Sequence, residues 1–210
     1  GVEEFIICCG YKGYVIKEYF SNFHRHNSDF AIDLDINEIT LLKKSDIKWK
    51  ITLIDTGEQT QTGGRLRRIK DYVNETFCMT YGDGLSNVNI KDLISHHRNN
   101  KKLATVTAVH PPSRFGSLSL DANLVTKFSE KSENLEVWIN GGFFVLEPEA
   151  LAYIEDDSTL WEEGPLEKLS LDGQLSAYRH QGFWRPMDTL RDKAFLEDLW
   201  VSGNAPWVKS

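Results

Sequence analysis

The stretch FCMTYGDG, residues 77–84, runs from a mostly apolar segment into a carboxylate that stands between two glycines. We expect residues 77–81 to form a short buried strand with Asp83 at its carboxyl end, which is the edge where open α/β sheets bind ligands. Gly82 and Gly84 would let a phosphate and its magnesium ion approach the backbone closely. Because an Asp-Gly pair after a strand is also typical of a simple turn, a turn and a site for metal-assisted phosphate chemistry both remain open.

Strands and helices alternate along the chain on both sides of this stretch. Continuous or alternating apolar residues predict strands, and apolar residues at helical spacing predict helices. The predicted strands are residues 5–9, 30–36, 51–55, 77–81, 104–109, 118–120, 124–128, 137–146 and 175–179. The predicted helices are residues 14–23, 63–73, 90–99, 148–154, 165–171 and 189–200. This alternation is typical of an α/β fold with a mainly parallel sheet, and the strand-rich middle of the chain indicates a small antiparallel excursion. We expect one domain, residues 1–210.

The composition is that of an ordinary soluble globular protein, with 40% hydrophobic and 26% charged residues. The net charge of −7 argues against nonspecific nucleic-acid binding, which needs a basic surface. The sequence has no apolar run long enough to cross a membrane and no recognisable signal peptide. Cys8, Cys9 and Cys78 lie in apolar runs, so we expect buried, reduced thiols in a cytoplasmic protein. We therefore expect neither a nucleic-acid nor a membrane partner.

Two glycine pairs occur where a backbone can approach another group. Thr62-Gly63-Gly64-Arg65 lies between a predicted strand and a predicted helix. Its consecutive glycines would expose backbone groups that can read the edge of a base, and Arg65 would supply a fixed fork of donors. The alternative is a helix start that is capped by Thr62. Gly141-Gly142, inside the predicted strand 137–146, indicates a second close backbone approach.

Two further segments offer groups that suit a sugar phosphate. Gly116, in Arg114-Phe115-Gly116, could let a sugar ring lie against the backbone, or it could belong to a turn. Glu130 could accept hydrogen bonds from sugar hydroxyls, and Lys131 could bind a phosphate as a point charge. The alternative for Glu130 and Lys131 is a solvated surface ion pair.

Asp188 is a second carboxylate of interest, because it stands at the start of the predicted helix 189–200. An Asp at this position is commonly a helix cap or a partner of the helix dipole. It is also a candidate second ligand for a magnesium ion near Asp83, since carboxylates from distant parts of a sequence often converge on hard cations.

The tail of the chain is rich in large apolar side chains. They would suit either the core or a homo-oligomer contact, and we expect the core. The residues are Phe195, Leu199, Trp200 and Trp207.

Seven segments, in this order, resemble the sugar-1-phosphate nucleotidyltransferases. The segments are FIICCGYKG (5–13), TGGRL (62–66), YGDG (81–84), RFG (114–116), EK (130–131), INGGFFVL (139–146) and WRPMDTLRD (184–192). The resemblance extends from residue 1 to about residue 207, and the forms of the second and last segments favour the branch that transfers a cytidylyl group.

This resemblance implies a Rossmann-like fold of the nucleotide-diphospho-sugar transferase type. It implies that CTP and glucose 1-phosphate react to give CDP-glucose and pyrophosphate, a step in nucleotide-sugar biosynthesis that can serve lipopolysaccharide O-antigen. Positioning and charge neutralisation would carry this catalysis. The implied catalytic residues are Asp83, Lys131 and Asp188, with Asp83 and Asp188 holding Mg²⁺. The implied sugar-phosphate contacts are Gly116, Glu130, Lys131 and Asn140, and the implied nucleotide contacts are Gly10, Thr62, Gly63, Gly64, Arg65 and Gly82.

The sequence departs from this family at its beginning. Members of the family open with a strand and a loop of the form Gly-Gly-x-Gly-Thr-Arg-Leu, and nothing in this sequence matches that loop. Gly1 is followed almost at once by the predicted strand 5–9. We therefore expect a chain that begins at the family's second strand and lacks the first.

Two alternatives to the cytidylyltransferase remain open. One is a truncated relative that binds a nucleotide or sugar phosphate without catalysis, and the other is a nucleotide-sugar glycosyltransferase of related fold. Thymidylyl and uridylyl relatives share the Asp and Glu-Lys elements, so the preference for cytosine rests on the residues around Arg65.

Overall fold

The computed structural model describes residues 2–42, 46–111, 117–121, 124–129 and 137–208. The chain divides into two compact units, one formed by residues 1–72 with 153–165 and the other by residues 73–152 with 166–210. That all 210 residues form one domain stays a prediction.

The first unit is built on two parallel strands. Its elements are β1 (Glu4–Cys9), α1 (Gly13–Ser21), α2 (Phe23–Asn27), β2 (Phe30–Asp33), β3 (Glu38–Leu41), β4 (Lys50–Asp55) and α3 (Thr62–Arg68). Strands β1 and β4 pair in parallel, with Cys9 opposite Asp55 at their carboxyl ends. The order of strand, glycine loop and helix at residues 4–21 is the one predicted from the sequence.

The predicted strand 30–36 is half of a hairpin. Strand β2 ends at Asp33, whose Oδ1 accepts hydrogen bonds from the backbone N–H groups of Asp35 (2.9 Å) and Ile36 (3.3 Å). Asn37 then adopts a left-handed conformation with φ 54°. An Asp side chain that binds the backbone two residues on competes with strand pairing, and the chain therefore turns back into β3.

The predicted helix 14–23 is divided at Asn22. The Asn22 side-chain amide donates to the Glu18 carbonyl at 2.9 Å, and α2 begins one residue later. The apolar stripe that predicts this helix is largely exposed, with Val15 48% and Tyr19 49% exposed. The periodicity thus identifies the helix correctly, but its apolar side does not mark a buried surface.

The second unit contains a four-stranded sheet. Its strands and helices are β5 (Phe77–Thr80), β6 (Gly84–Ser86), α4 (Ile90–Asn100), β7 (Ala104–Val109), β8 (Ser117–Asp121), β9 (Leu124–Ser129), β10 (Ile139–Leu146), β11 (Leu175–Arg179), β12 (Trp184–Pro186) and α6 (Leu190–Val201). Helix α5 (Pro165–Leu171) begins at the boundary between the units. The sheet has the order β11-β7-β10-β5, and its buried centre is formed by β7 and β10.

The strand pairings confirm an α/β fold with a mixed sheet. Parallel pairing joins β1 to β4 and β11 to β7, and the other pairings among the described strands are antiparallel. Antiparallel pairing thus extends beyond the predicted β8–β9 excursion, because β10 runs against both of its neighbours.

The predicted helix 148–154 is a short 3₁₀ helix, Pro148–Tyr153, so its position was predicted but its type was not. Two other local expectations were wrong. Cys9 is buried, but Cys78 is exposed. Trp200 is 62% exposed and is not a core residue. In the described part of the chain, the helices are too short or too polar to cross a membrane.

A buried polar network ties α4 to the sheet. His97, 1% exposed, lies 2.8 Å through Nδ1 from Thr105 Oγ1 and 3.0 Å through Nε2 from Glu147 Oε1. Thr105 Oγ1 in turn lies 2.7 Å from Ser176 Oγ on β11. His97 therefore links α4 to β7 through Thr105, and Thr105 continues the link to β11. Such a buried polar group is stabilising only while its partners are present.

We predict that His97→Ala destabilises the protein by about 2–4 kcal/mol, because it removes two hydrogen bonds and leaves a cavity beside a buried hydroxyl. Urea unfolding followed by circular dichroism measures this difference. The control is Arg98→Ala at the exposed next position of the same helix, which we expect to change stability by less than about 0.5 kcal/mol. Equal costs for the two variants would contradict the proposed contribution of the network.

Candidate active site

The two-stranded ladder of β6 and β12 brings two distant carboxylates together. The strands pair antiparallel, with Pro186 opposite Gly84. One step beyond this pair, the Met187 N–H donates to the Asp83 carbonyl at 2.8 Å. Asp83 and Asp188 therefore lie at the same end of the ladder, as the magnesium hypothesis requires.

Asp83 and Asp188 also lie on the same pocket, which has a volume of about 200 Å³. The amide of Asn140, predicted to contact the sugar, belongs to this pocket as well. The other lining residues are Thr80, Tyr81, Gly84, Gly141, Gly142, Trp184 and Pro186.

The glycine pair of β10 allows the end of β5 to approach this pocket. The register between β10 and β7 shifts between Asn140 and Phe144, and Gly142 in this bulge has φ 76°. A Cβ atom at Gly142 would lie 2.8 Å from Cδ2 of Tyr81, and one at Gly141 would lie 2.8 Å from Val109 Cγ1. The close approach expected from the sequence is therefore made to protein side chains.

Two hydrogen bonds fix the wall of the pocket around β10. The Trp184 indole Nε1–H donates to the Gly141 carbonyl at 2.7 Å. The Gly142 N–H donates to Asn140 Oδ1 at 2.8 Å. The second bond orients the Asn140 side chain so that its amide nitrogen is the group that can donate to a substrate hydroxyl.

Helix α6 is capped by Thr189 and not by Asp188. The Thr189 hydroxyl accepts a hydrogen bond from the Asp192 N–H at 3.1 Å, which is the geometry of an N-cap. Since the neighbouring residue caps the helix, the capping alternative for Asp188 is wrong. Asp188 precedes the cap and lies on the pocket.

The donor set of this pocket fits a hard divalent cation. Mg²⁺ is usually held by one or two carboxylates together with substrate phosphates and water, and Asp83 and Asp188 supply two carboxylates. Among the described residues, no group of three or more His, Cys, Asp and Glu side chains is placed to hold a metal ion. Substrate phosphate and water oxygens would therefore complete the coordination.

A second pocket, of about 540 Å³, lies in the first unit at the carboxyl ends of β1 and β4. Gly10, a predicted nucleotide contact, forms part of it. Lys12 and Lys17 add two positive charges, and Asp55 and Glu58 add two negative charges. The two lysines had no assigned role in our sequence-based hypothesis, although Lys12 stands within the glycine loop that follows β1.

Arg65 is held by oxygen atoms around this second pocket. It donates to Thr56 Oγ1 at 2.7 Å and to the carbonyl oxygens of Gly57 (3.0 Å), Cys9 (3.4 Å) and Glu58 (3.4 Å). It also lies against Gly10, where an added Cβ would come within 2.5 Å of both terminal nitrogens. Arg65 thus fixes the backbone around the pocket, and its contact with cytosine stays a prediction.

Packing explains the glycine pair of α3 without a ligand. A Cβ at Gly63 would lie 2.7 Å from the Thr159 carbonyl oxygen, and one at Gly64 would overlap the backbone of Asp157. The Thr62 hydroxyl donates to Glu162 Oε2 at 2.8 Å. These contacts pack α3 against residues 157–162. The proposed contacts of Thr62, Gly63 and Gly64 with a nucleotide stay predictions.

An ion pair also joins α3 to this segment. Arg68 donates to Asp157 through Nε (3.1 Å) and Nη2 (2.6 Å). The hydrogen bonds from Arg68 hold the pKa of the Asp157 carboxyl below its usual range. Burial raises the pKa of the Cys8 thiol near the same helix, and the Arg65 guanidinium opposes that shift.

The remaining predicted residues fall into two groups. A Cβ at Gly82 would meet no atom within 4 Å, so the backbone at Gly82 is open to a ligand. Gly116, Glu130 and Lys131 lie outside the described residues. Trp184 also lines the pocket of the second unit. Its place in the WRPMD motif is the sequence feature that identifies it.

The structure is that of an α/β protein with a pair of carboxylates on one pocket. The chain belongs to the nucleotidyl transferase family, which matches residues 17–184. It is 50% identical over 209 residues to the glucose-1-phosphate cytidylyltransferase of Salmonella typhi, covering 99% of this chain and 81% of that protein. It is 42% identical to a protein of Bacillus subtilis named probable glucose-1-phosphate cytidylyltransferase, covering 99% of this chain and 82% of that protein.

Solved structures of other proteins share the fold of this chain. The chain superimposes on HddC from Yersinia pseudotuberculosis with a TM-score of 0.65 at 20% identity, covering 95% of this chain and 80% of that one. A UDP-glucose pyrophosphorylase, complexed with UDP-glucose, gives a TM-score of 0.63 at 13% identity and covers 97% and 82% of the two chains. The Rossmann-like α/β fold expected from the resemblance is confirmed.

We predict that Gly142→Ala costs about 1–2 kcal/mol more stability than Gly173→Ala. Both positions have a positive φ, but an added Cβ at Gly173 meets no atom within 4 Å, whereas at Gly142 it meets Tyr81. Urea unfolding of the two variants gives the comparison. In a Tyr81→Ala background the additional loss of stability at Gly142 should disappear. If Gly142→Ala still costs more stability than Gly173→Ala in that background, the assigned contact with Tyr81 is wrong.

Proposed function

We propose that this chain transfers the cytidylyl group of CTP to glucose 1-phosphate and forms CDP-glucose and pyrophosphate. Two observations support the proposal. The relatives in Salmonella typhi and Bacillus subtilis, at 50% and 42% identity over nearly the whole chain, both carry this activity in their names. Within the chain, Asp83 and Asp188 converge on one pocket, and this convergence is the structural observation that carries the proposal.

The reaction makes one bond and breaks one. A phosphate oxygen of glucose 1-phosphate attacks the α-phosphorus of CTP, a new P–O bond forms, and the bond between the α-phosphorus and the bridging oxygen to the β-phosphorus breaks. Pyrophosphate leaves with that oxygen and its electron pair. Such a displacement needs alignment and charge neutralisation more than covalent help from the protein.

We propose that Asp83 and Asp188 hold Mg²⁺ in the pocket of the second unit. When bound, this cation would offset the negative charge of the reacting phosphates. The chain's own contribution is preorganisation, since the β6–β12 ladder brings the two carboxylates together before any substrate binds. Both carboxylates therefore line the pocket in which the cation would bind.

Contacts to the sugar phosphate follow in part from the same pocket. The orientation of Asn140 makes its amide nitrogen a donor to a glucose hydroxyl. We propose, from the family resemblance, that Gly116 and Glu130 also contact the glucose and that Lys131 binds its phosphate.

Nucleotide contacts are proposed on the same basis. Gly82 offers open backbone. Gly10 lines the pocket of the first unit, and Arg65 supports the backbone around it through its hydrogen bonds. Thr62, Gly63 and Gly64 complete the proposed nucleotide segment. A cytoplasmic location and a homo-oligomeric state stay predictions.

The glycosyltransferase alternative is not favoured, because the two relatives named above are both cytidylyltransferases by name. A truncated relative that binds without turnover is likewise less well supported than the enzyme.

The test is pyrophosphate release by the purified chain with glucose 1-phosphate, Mg²⁺ and each of CTP, UTP and dTTP. We expect release with CTP. We expect Asp83→Asn and Asp188→Asn each to lower kcat by about 100-fold or more, since losing about 3 kcal/mol of charge stabilisation corresponds to two decades of rate. Asp83→Asn keeps the carbonyl that binds Met187, so the ladder should persist.

The matched control is Asp198→Asn, which removes an exposed carboxylate of α6 and should leave the rate unchanged. Release with UTP or dTTP in place of CTP would contradict the base assignment only. A folded chain that binds CTP without releasing pyrophosphate would overturn the enzymatic proposal.

A further inference from the structure

Asp188 lies in the short segment 187–189 between β12 and α6, which we call the corner. Asp192 forms contacts on both sides of this corner. This residue is 3% exposed and stands in the first turn of α6. Its Oδ1 accepts a hydrogen bond from Arg185 Nε (3.0 Å), on the β12 side of the corner, and lies 2.9 Å from Arg185 Nη2 in an ion pair. Its Oδ2 accepts from the Thr189 hydroxyl at 2.7 Å, on the helix side. One carboxylate thus binds the residue three positions before Asp188 and the residue directly after it.

Reciprocal and charge-assisted contacts surround the Asp192 carboxylate. The Thr189 hydroxyl that donates to Oδ2 also accepts the Asp192 N–H at 3.1 Å, so the two residues bind each other reciprocally. Arg185 offsets the charge of the buried carboxylate through one charge-assisted hydrogen bond and an ion-pair contact. The Arg185 guanidinium also lies 5.0 Å from the centre of the Phe195 ring on the same helix, which fixes its orientation from a second direction.

The corner is anchored at a third point by the main chain. The Met187 N–H donates to the Asp83 carbonyl, so residues 185, 187 and 189 are all tied and Asp188 lies among them. The placement of the Asp188 carboxylate relative to Asp83 therefore depends on these ties. Metal sites are sensitive to such supports, because residues that orient the ligands change affinity when they are lost.

We propose that Asp192 is a positioning residue that sets the affinity of the Asp83 and Asp188 pair for a divalent cation. The inference rests on the proposed function, in which this pair holds the cation. Asp192 acts through Thr189 and Arg185 rather than as a third ligand, because both of its oxygens accept hydrogen bonds from these residues. The residues that line the pocket include Asp83 and Asp188 but not Asp192.

The first experiment is a titration with Mn²⁺ alone, in which electron paramagnetic resonance reports the free ion. We expect Asp192→Asn to weaken Mn²⁺ binding by about 10-fold relative to the wild-type chain. The Mg²⁺ concentration for half-maximal pyrophosphate release should rise by a similar factor. At saturating Mg²⁺, the KM for glucose 1-phosphate should stay unchanged, because the defect lies in the carboxylate pair.

A pair of Thr189 variants separates positioning from direct ligation. Thr189→Val removes both the bond to Asp192 Oδ2 and the cap bond from the Asp192 N–H, but it leaves every carboxylate in the chain. Weaker Mn²⁺ binding in this variant therefore arises through position. Thr189→Ser keeps the hydroxyl and should restore binding to within about 2-fold of the wild-type chain. The thermal midpoint of each variant is measured in parallel.

The control on the same helix is Glu197→Gln, which removes an exposed carboxylate that binds Lys193 at 2.7 Å. It should leave Mn²⁺ binding unchanged. The proposal is overturned if Asp192→Asn and Thr189→Val lower the thermal midpoint but bind Mn²⁺ like the wild-type chain. Absence of Mn²⁺ binding by the wild-type chain would overturn it too, whereas pyrophosphate release from CTP reports on the proposed function separately.

Discussion

The antiparallel pairing of β6 with β12, extended by the hydrogen bond from the Met187 N–H to the Asp83 carbonyl, is the constraint on which the candidate site depends. Asp83 and Asp188 come from distant parts of the chain, and main-chain pairing alone brings them to one end of a ladder. The pairing uses backbone groups only, so it does not consume either carboxylate. A substitution at one of these two side chains can therefore change the chemistry of the pocket while the ladder is retained.

Asp83 and Asp188 place two carboxylates on one small pocket. Contacts around the pocket hold the segments that carry them. Trp184 bonds to the Gly141 carbonyl, and Asp192 ties the corner after β12 through Arg185 and Thr189. In the proposed reaction this arrangement offers the cation a preformed pair of ligands, which is the preorganisation that electrostatic catalysis needs.

Local sequence patterns were sufficient for the long elements. Residues 104–109 and 175–179 are strands within the predicted bounds, and residues 90–99 are helical with Asn89 as the cap. Strands β6 and β12 were not predicted, because each has three residues and includes Gly84 or Pro186, which are unfavourable in strands. The pairing that assembles the candidate site thus comes from the two elements with the weakest local signal.

Site residues were predictable as members of motifs, but their roles were less so. The sequence suggested a cap role for Asp188, although the Thr189-x-x-Asp192 spacing of a capping box was present and identifies Thr189 as the cap. For Gly63 and Gly64, the sequence could not distinguish a role in packing from a role in ligand binding. A glycine required for packing and a glycine required for a ligand look alike in a sequence, and only the contacts of α3 with residues 157–161 reveal the packing.

The convergence of Asp83 and Asp188 on one cation is tested most directly by a crystal structure of the chain with Mn²⁺ and CDP-glucose, measured at the manganese absorption edge. We predict one anomalous peak within about 2.2 Å of a carboxylate oxygen from each of the two residues, with a phosphate oxygen of the product in the same coordination shell. A peak bound to one of these carboxylates alone, or a product complex with Mn²⁺ at neither of them, would contradict the account.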